Sequence, residues 1–254
     1  MYTADTTGKP IRLNAYLARC GVASRRGADR LIAQGLVAVN GQPAALGTTV
    51  EPTSDHVEVK GESLERPTGH VTIILNKPSG YLVSNNDPHH DSSKTVFALV
   101  YEIKERLVTV GRLDLDTEGV LIMTSDGSLA HGLTHPSSEV EKVYRAHVKW
   151  WPDEKALAKL RDGVMLDGRM TAKADVTTVQ KSKEGSELEI RLHEGRNRQV
   201  RRICQAVGHP VIRLRRVSVG GIDAHGLPSG RWRRLTDVEL TELYQAAGLM
   251  VPAS

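Results

Sequence analysis

Leu13 and Leu17 stand four residues apart in a largely polar stretch, a spacing that puts both on one face of a helix, and Gly21 can end it. Ser24 is placed to cap a second helix, Arg25 to Gln34, which buries Ala28, Leu31 and Ile32 and stops at Gly35. Leu36–Val39 then reads as a strand. Asn40-Gly41 supplies the left-handed turn of a two-residue hairpin, and Val57–Val59 is a further short strand.

Residues 61–70, GESLERPTGH, are polar with Gly and Pro and read as a linker. Beyond them Val71–Leu75 has the pattern of a buried strand, Pro78-Ser79-Gly80 that of a turn, and Ser84–Lys94 that of an exposed loop. Further strands are expected at Leu107–Val110, Val120–Thr124, Val140–Lys149, Ala172–Thr178, Leu188–His193 and Val211–Val219. Helices are expected around Asp153–Arg161, Asn197–Val207 and Asp237–Ala247, the last opening on a capping box from Thr236 to Glu239. Many strands with few intervening helices predict an α+β chain built on a mixed, largely antiparallel sheet. The expected organisation is a loose tail at 1–10, a small helical and hairpin domain at 11–60, the linker, a larger domain at 71–247 and a tail at 248–254.

Composition sharpens this. The 254 residues are 39% hydrophobic and 25% charged, as in a soluble globular protein. No apolar run approaches the roughly 18 to 20 residues that span a bilayer, and the polar start MYTADTTGKP has no hydrophobic signal core. A cytoplasmic protein without membrane contact is therefore expected, its Cys20 and Cys204 as buried thiols rather than a disulfide. The formal charge is +4, but its distribution says more, because arginine concentrates in residues 12–30, 191–216 and 231–234. Separated basic clusters suit a protein that grips phosphates at more than one place, although a solvated basic surface would look the same. Aromatic residues are only 4%, so broad stacking on single-stranded bases is not the expected main binding mode.

The sequence has no Gly-x-x-x-x-Gly-Lys loop, no Gly-x-Gly-x-x-Gly opening a helix and no paired-cysteine zinc spacing. His131 and His135 have helical metal-ligand spacing without the metalloprotease glutamate, so exposed or phosphate-facing histidines explain them better, and the same holds for His89-His90. The segment that draws attention is VTVGRLDLDTEGVLIMTSDG, residues 108–127. It packs Arg112, Asp114, Asp116 and Glu118 into a short turn between two apolar strands, an expensive arrangement unless the charges are paired or functional. Turn logic does not choose between Asp114 and Asp116; carboxylates that cap backbone amides of a polar turn account for Asp116 and Asp126, and Asp126-Gly127 is an ordinary turn pair. In the helix from Asn197, Val200, Ile203, Cys204 and Val207 share a core face, while Arg198, Arg201, Arg202 and Gln205 repeat on the other. An exposed basic face accounts for Arg198, whereas Arg201 and Arg202 are not separable by phase.

Two resemblances add function. RLNAYLARCGVASRRGADRLIAQGLVAVNGQP resembles the alpha-L RNA-binding module named for ribosomal protein S-four, which implies phosphate contacts from Arg12, Arg25, Arg26 and Arg30. GRLDLDTEG, with ILNKPSGYLVSNND before it and THPSSEVEKVY, EGRNRQVRRICQAVGHPVIRL and GLPSGRWRRLTDVEL after it, resembles the RsuA/RluB-type ribosomal RNA pseudouridine synthases over roughly residues 70–245. The resemblance implies an isomerase that detaches uracil from ribose, rotates it and rejoins it through a ring carbon, with no cofactor and no metal.

The same resemblance assigns the catalytic carboxylate to Asp114, its guanidinium partner to Arg201 and the active-site tyrosine to Tyr144. The carboxylate either attacks as a nucleophile or deprotonates the ribose, and both roles need its ionised form, which a neighbouring guanidinium favours. Tyr144 would stack on the extruded uracil, and Arg112 would fill the vacated space or hold the flipped phosphate. Lys77, in Lys-Pro-x-Gly, is a substrate contact or a structural residue, while Arg202, Arg213, Arg215 and Arg216 are candidate phosphate contacts. The expected partner is ribosomal RNA or a ribosome-assembly intermediate, met by a monomer, with one uridine of the large-subunit 23S RNA as target. A small-subunit or transfer-RNA synthase, or a non-catalytic assembly factor, is the alternative.

Overall fold

The computed structural model describes residues 10–65, 69–84 and 94–251. The expected tails therefore fall largely outside the described residues, as do the middle of the linker, His89-His90 and most of the loop after Ser84.

The first unit is built from helices α1 (Leu13–Arg19) and α2 (Arg25–Ala33) and strands β1 (Val37–Val39) and β2 (Val57–Val59). Ser24 caps α2 by accepting from the Gly27 amide, as its position predicts. Leu13, Tyr16, Leu17, Ala28, Ile32, Val37, Val50, Val57 and Val59 form its core. β1 pairs antiparallel with β2 and, through a hairpin that turns at Asn40 with a left-handed φ of 52°, with Gln42–Pro43.

The larger unit is one mixed sheet, nine-stranded among the described residues. Its main strands are β3 (Thr72–Lys77), β4 (Thr117–Thr124), β5 (Lys142–Lys149), β6 (Asp175–Lys181), β7 (Gly185–Leu192), β8 (Val211–Val219) and β9 (Trp232–Arg234), in spatial order β6-β7-β5-β8-β4-β3-β9. All neighbours run antiparallel except β8 and β4, which pair in parallel through Leu214–Thr117, Arg215–Glu118 and Arg216–Gly119. That close pairing depends on Gly119. A Cβ there would lie 2.1 Å from the Arg216 carbonyl oxygen, and its φ of +102° disfavours any other residue.

Helices α3 (Gly127–Thr134) and α6 (Asp237–Ala246) cover Ile74, Val120 and Ile122 on one face of the sheet. On the opposite face, α4 (Glu154–Asp162) and α5 (Gln199–Ala206) pack on Ala146, Val148, Leu188, Ile190 and Leu214. A third cluster on Ile73, Leu75, Leu121 and Met123 continues that second face, and Tyr144 packs against both clusters. The alternation expected of half-buried strands is plain in β7, where Leu188, Ile190 and Leu192 are buried and Glu187, Glu189 and Arg191 are not. The expected capping box also forms: Thr236 accepts from the Glu239 amide, and the Glu239 carboxylate accepts from the Thr236 amide.

Two expectations need correction. Residues 127–134 form a helix where a turn pair was expected: Asp126 caps it through the Ser128 and Leu129 amides and is itself buried, accepting a 2.6 Å bond from the Tyr244 hydroxyl. The helix expected from Asn197 begins at Gln199, because Arg198 adopts a left-handed backbone with φ 49°. Among the described residues, no helix is long and apolar enough to cross a membrane.

Candidate active site

The turn that joins Gly111 to β4 carries Arg112, Asp114 and Asp116, and the first turn of α5 approaches it from across the sheet. Arg198 Nη1 lies 3.3 Å from Asp114 Oδ2 and 3.6 Å from Asp116 Oδ1. Arg201 Nη2 lies 3.0 Å from Asp116 Oδ2 and donates to the Asp116 carbonyl at 3.1 Å, while its Nε is 4.0 Å from Asp114 Oδ2. The Arg201 side chain is only 12% exposed, and its buried Nε has no hydrogen-bond partner among the described residues. Two guanidiniums thus face two carboxylates, and Asp114 keeps 28% of its side chain open to solvent.

This grouping brings together Asp114 and Arg201, as expected, and adds two members. Arg198 is not merely an exposed basic residue, because its left-handed backbone turns it out of helical phase and toward Asp114. Nor is Asp116 a plain turn cap, since it holds Arg201. No helical spacing signals Arg198, because it stands outside α5 in a left-handed conformation.

Beneath the turn lies Lys77. Its side chain is fully buried and its Nζ donates to the carbonyl oxygens of Pro78, Asp114, Leu115 and Thr117 at 2.8–3.3 Å. Of the two roles open to it, the geometry selects the structural one, with no solvent-facing atom left to touch RNA. Burial pushes its amine down to about 8, against the pull of Asp116, Asp114 and Glu118 and helped by Arg216.

Tyr144 sits on β5 opposite Arg216 of β8 and Ile190 of β7, half-buried on the face that also carries α5. Arg112 is exposed on the turn. The other arginines expected to contact phosphate are not gathered here. Arg202 pairs with Asp167 at 2.6 Å. Arg213 pairs with Glu118 at 2.8 Å, and strand alternation puts Arg213 and Arg215 on the face opposite Leu214, away from α5. Arg216 is buried, with its Nε donating to the Val120 carbonyl, so it braces the β8–β4 pairing instead of meeting a phosphate. In the first unit, Arg12, Arg25, Arg26 and Arg30 are all exposed. A cleft of about 1170 Å³ between that unit and α3 is lined by Arg19, Arg25, Arg106, His131 and His135. The two histidine rings lie 5.4 Å apart, tilted by 40°.

The thiols belong to the packing. Burial raises Cys20 to about 11 and Cys204 to about 12, and the two are not bonded to each other.

Comparison with known proteins agrees with the geometry. The family described as "RNA pseudouridylate synthase" matches residues 71–206, and "S4 domain" matches residues 11–57. An uncharacterized RNA pseudouridine synthase of Aquifex aeolicus is 42% identical over 241 residues, 94% of this chain and 96% of its own. The ribosomal large subunit pseudouridine synthase B of Bacillus subtilis is 41% identical over 235 residues, 91% of this chain and 95% of its own. A solved pseudouridylate synthase superposes with a TM-score of 0.64 at 28% identity, covering 92% of this chain and 99% of its own. With the matching domain spanning the paired turn and α5, and relatives aligned end to end, the chain belongs to the RNA pseudouridine synthase family and carries an N-terminal S4 domain.

Proposed function

We propose that this enzyme converts one uridine of large-subunit ribosomal RNA to pseudouridine, with Asp114 as its catalytic carboxylate. The carrying observation is the setting of Asp114: partly open to solvent, faced by Arg198 and Arg201, on a turn whose carbonyls Lys77 holds from below. The reaction breaks the bond from ribose C1′ to uracil N1 and forms one from C1′ to C5, so substrate and product are isomers and the bookkeeping needs no cofactor. An ionised carboxylate beside the sugar can add to C1′ or remove a ribose proton, and Arg198 and Arg201 face it in either role.

Tyr144, on the same face of the sheet, stacks on the flipped base, and the exposed Arg112 occupies the helix position that the base leaves. Arg12, Arg25, Arg26 and Arg30 anchor the RNA by its phosphates, fixing register without reading sequence. The large-subunit assignment is supported by the B. subtilis relative, which is named for that subunit. In this reading the protein works on ribosomal RNA in the cytoplasm as a monomer; sedimentation of the dilute protein as a dimer would contradict the last point.

The test is Asp114→Asn, with pseudouridine mapped by chemical labelling and primer extension on ribosomal RNA. The expected variant binds RNA like the wild type and makes no pseudouridine. Undiminished modification would remove Asp114 from the chemistry. A wild-type protein that binds ribosomal RNA and modifies none would favour an assembly factor, and a modified transfer RNA in its place would move the target.

A further inference from the structure

The chain has ten Phe, Trp and Tyr residues in all, three of them Trp, yet two of those Trp are adjacent at the end of β5 and face solvent. Trp150 is 62% exposed and Trp151 59%. Indoles each carry on the order of 200 Å² of surface that gains from burial, so leaving a pair outside needs a reason. Trp150 moreover has φ 61°, in the left-handed region where a bulky side chain is an outlier.

Both rings are held in place. The Lys149 amide donates to the Pro210 carbonyl, and Trp150 bridges to Gly185. His209 Nδ1 lies 3.0 Å from the Lys149 carbonyl oxygen, and its ring meets Trp150 edge-on at 6.5 Å, bracing the indole while most of it stays open. Trp151 Nε1 donates to the Ser182 carbonyl at 2.8 Å, which satisfies its one polar atom and leaves an apolar ring outside. The surroundings are basic: Lys149, Lys181 and Lys183 are exposed beside the pair. Of the nearby acids, Asp153 caps α4 and Glu154 pairs with Arg161, leaving Glu184 in the hairpin turn.

The pair lies at the same end of the sheet as the catalytic turn. Ala146 is level with Leu214, and Leu214 with Thr117. Trp150 is four residues further along β5, so strand geometry puts it roughly 15 Å from the start of β4.

We infer that Trp150 and Trp151 are a stacking platform for unpaired nucleobases of the RNA flanking the target uridine, an inference that rests on the RNA-modifying reading above. Rigid indoles lose little entropy on binding and accept any base, while the lysines meet the phosphates between stacked bases. The lysine-rich rim favours a polyanion over a protein partner.

The test compares an unpaired RNA of about 12 nucleotides with a blunt duplex of equal length, by fluorescence anisotropy on the full-length protein. Trp150→Ala/Trp151→Ala should weaken single-strand binding roughly 5- to 100-fold and leave duplex binding as it was, and the paired Phe variant should retain most of the affinity. The slope of log affinity against log salt should not change, because no phosphate contact is lost. Wild-type single-strand affinity in the folded Ala variant would overturn the inference, as would equal loss on both RNAs. Normal binding to both RNAs with lost cosedimentation on ribosomal-subunit precursors would overturn it in favour of a protein-docking surface. Wild-type activity on ribosomal RNA, measured alongside, separates these results from failure of the enzymatic reading.

Discussion

Arg198 Nη1 lies 3.3 Å from Asp114 Oδ2, nearer than the 4.0 Å of Arg201 Nε. The two arginines are not equivalent. Arg198 is 45% exposed and reaches the carboxylate from the solvent side, whereas Arg201 is 12% exposed and also holds the turn through Asp116. Arg201→Ala should therefore lower kcat by about 100-fold or more, as expected for the loss of a preorganised charged donor. Arg198→Ala, whose contact water partly screens, should cost about tenfold. Single-turnover rates on ribosomal RNA at saturating enzyme would check this; a larger loss for Arg198→Ala would reverse the assigned roles.

Lys77 ties together the carbonyls of Pro78, Asp114, Leu115 and Thr117 from beneath the turn. Lys77→Met keeps the length and removes the donors, so it should destabilise the fold by about 2–4 kcal/mol and lower kcat more than RNA affinity. The titration has a definite sign. The folded amine titrates near 8 and the unfolded one near its ordinary 10.5, so between those values the unfolded chain binds more protons and stability rises with pH. Urea titrations at pH 7.5 and 9.5 should show that rise in the wild type and a smaller one in Lys77→Met. Equal pH dependence in the two proteins would mean that the lysine is not depressed.

What was legible beforehand, and what was not, follows from where the information resides. The mixed sheet, α2 and α6 could be read locally, because Ser24 and Thr236 stand at their caps and apolar residues keep the period. Helix α3 could not: Asp126-Gly127 has turn chemistry, Gly132 is a poor helix former, and the element exists because distant residues pack on it. Gly132 is needed for that contact, since a Cβ there would lie 2.9 Å from Cβ of Ala247. In the site, the motif resemblance alone singles out Asp114 for the proposed role. The nearness of Arg198 depends on one left-handed residue, and the burial of Lys77 depends on the turn of Asp114 and Leu115 closing over a charge that composition places outside.

Glu239 offers a test at the acid end. Its carboxylate accepts two 2.7 Å bonds from Arg233 and one from the Thr236 amide, and these hold it near 2 against the cost of burial. A depressed carboxylate contributes stability in full above its unfolded value near 4.5, and loses it as pH falls through about 2. Glu239→Gln should be less stable at pH 7 by about 1–3 kcal/mol, and its deficit should shrink at pH 3. A deficit independent of pH would assign the effect to the cap alone.

The exposed arginines of the S4 domain make the last prediction. If Arg25, Arg26 and Arg30 each neutralise a phosphate, replacing all of them by Ala should flatten the slope of log affinity against log salt by roughly 0.9 per lost contact. Affinity should fall steeply at low salt and converge with wild type at high salt. Pseudouridine formation should remain measurable at saturating enzyme, because none of these residues belongs to the turn that carries Asp114. Deleting residues 1–60 should act in the same direction and further. If the triple variant keeps the wild-type slope, α2 is a solvated basic surface and the RNA is held by other residues.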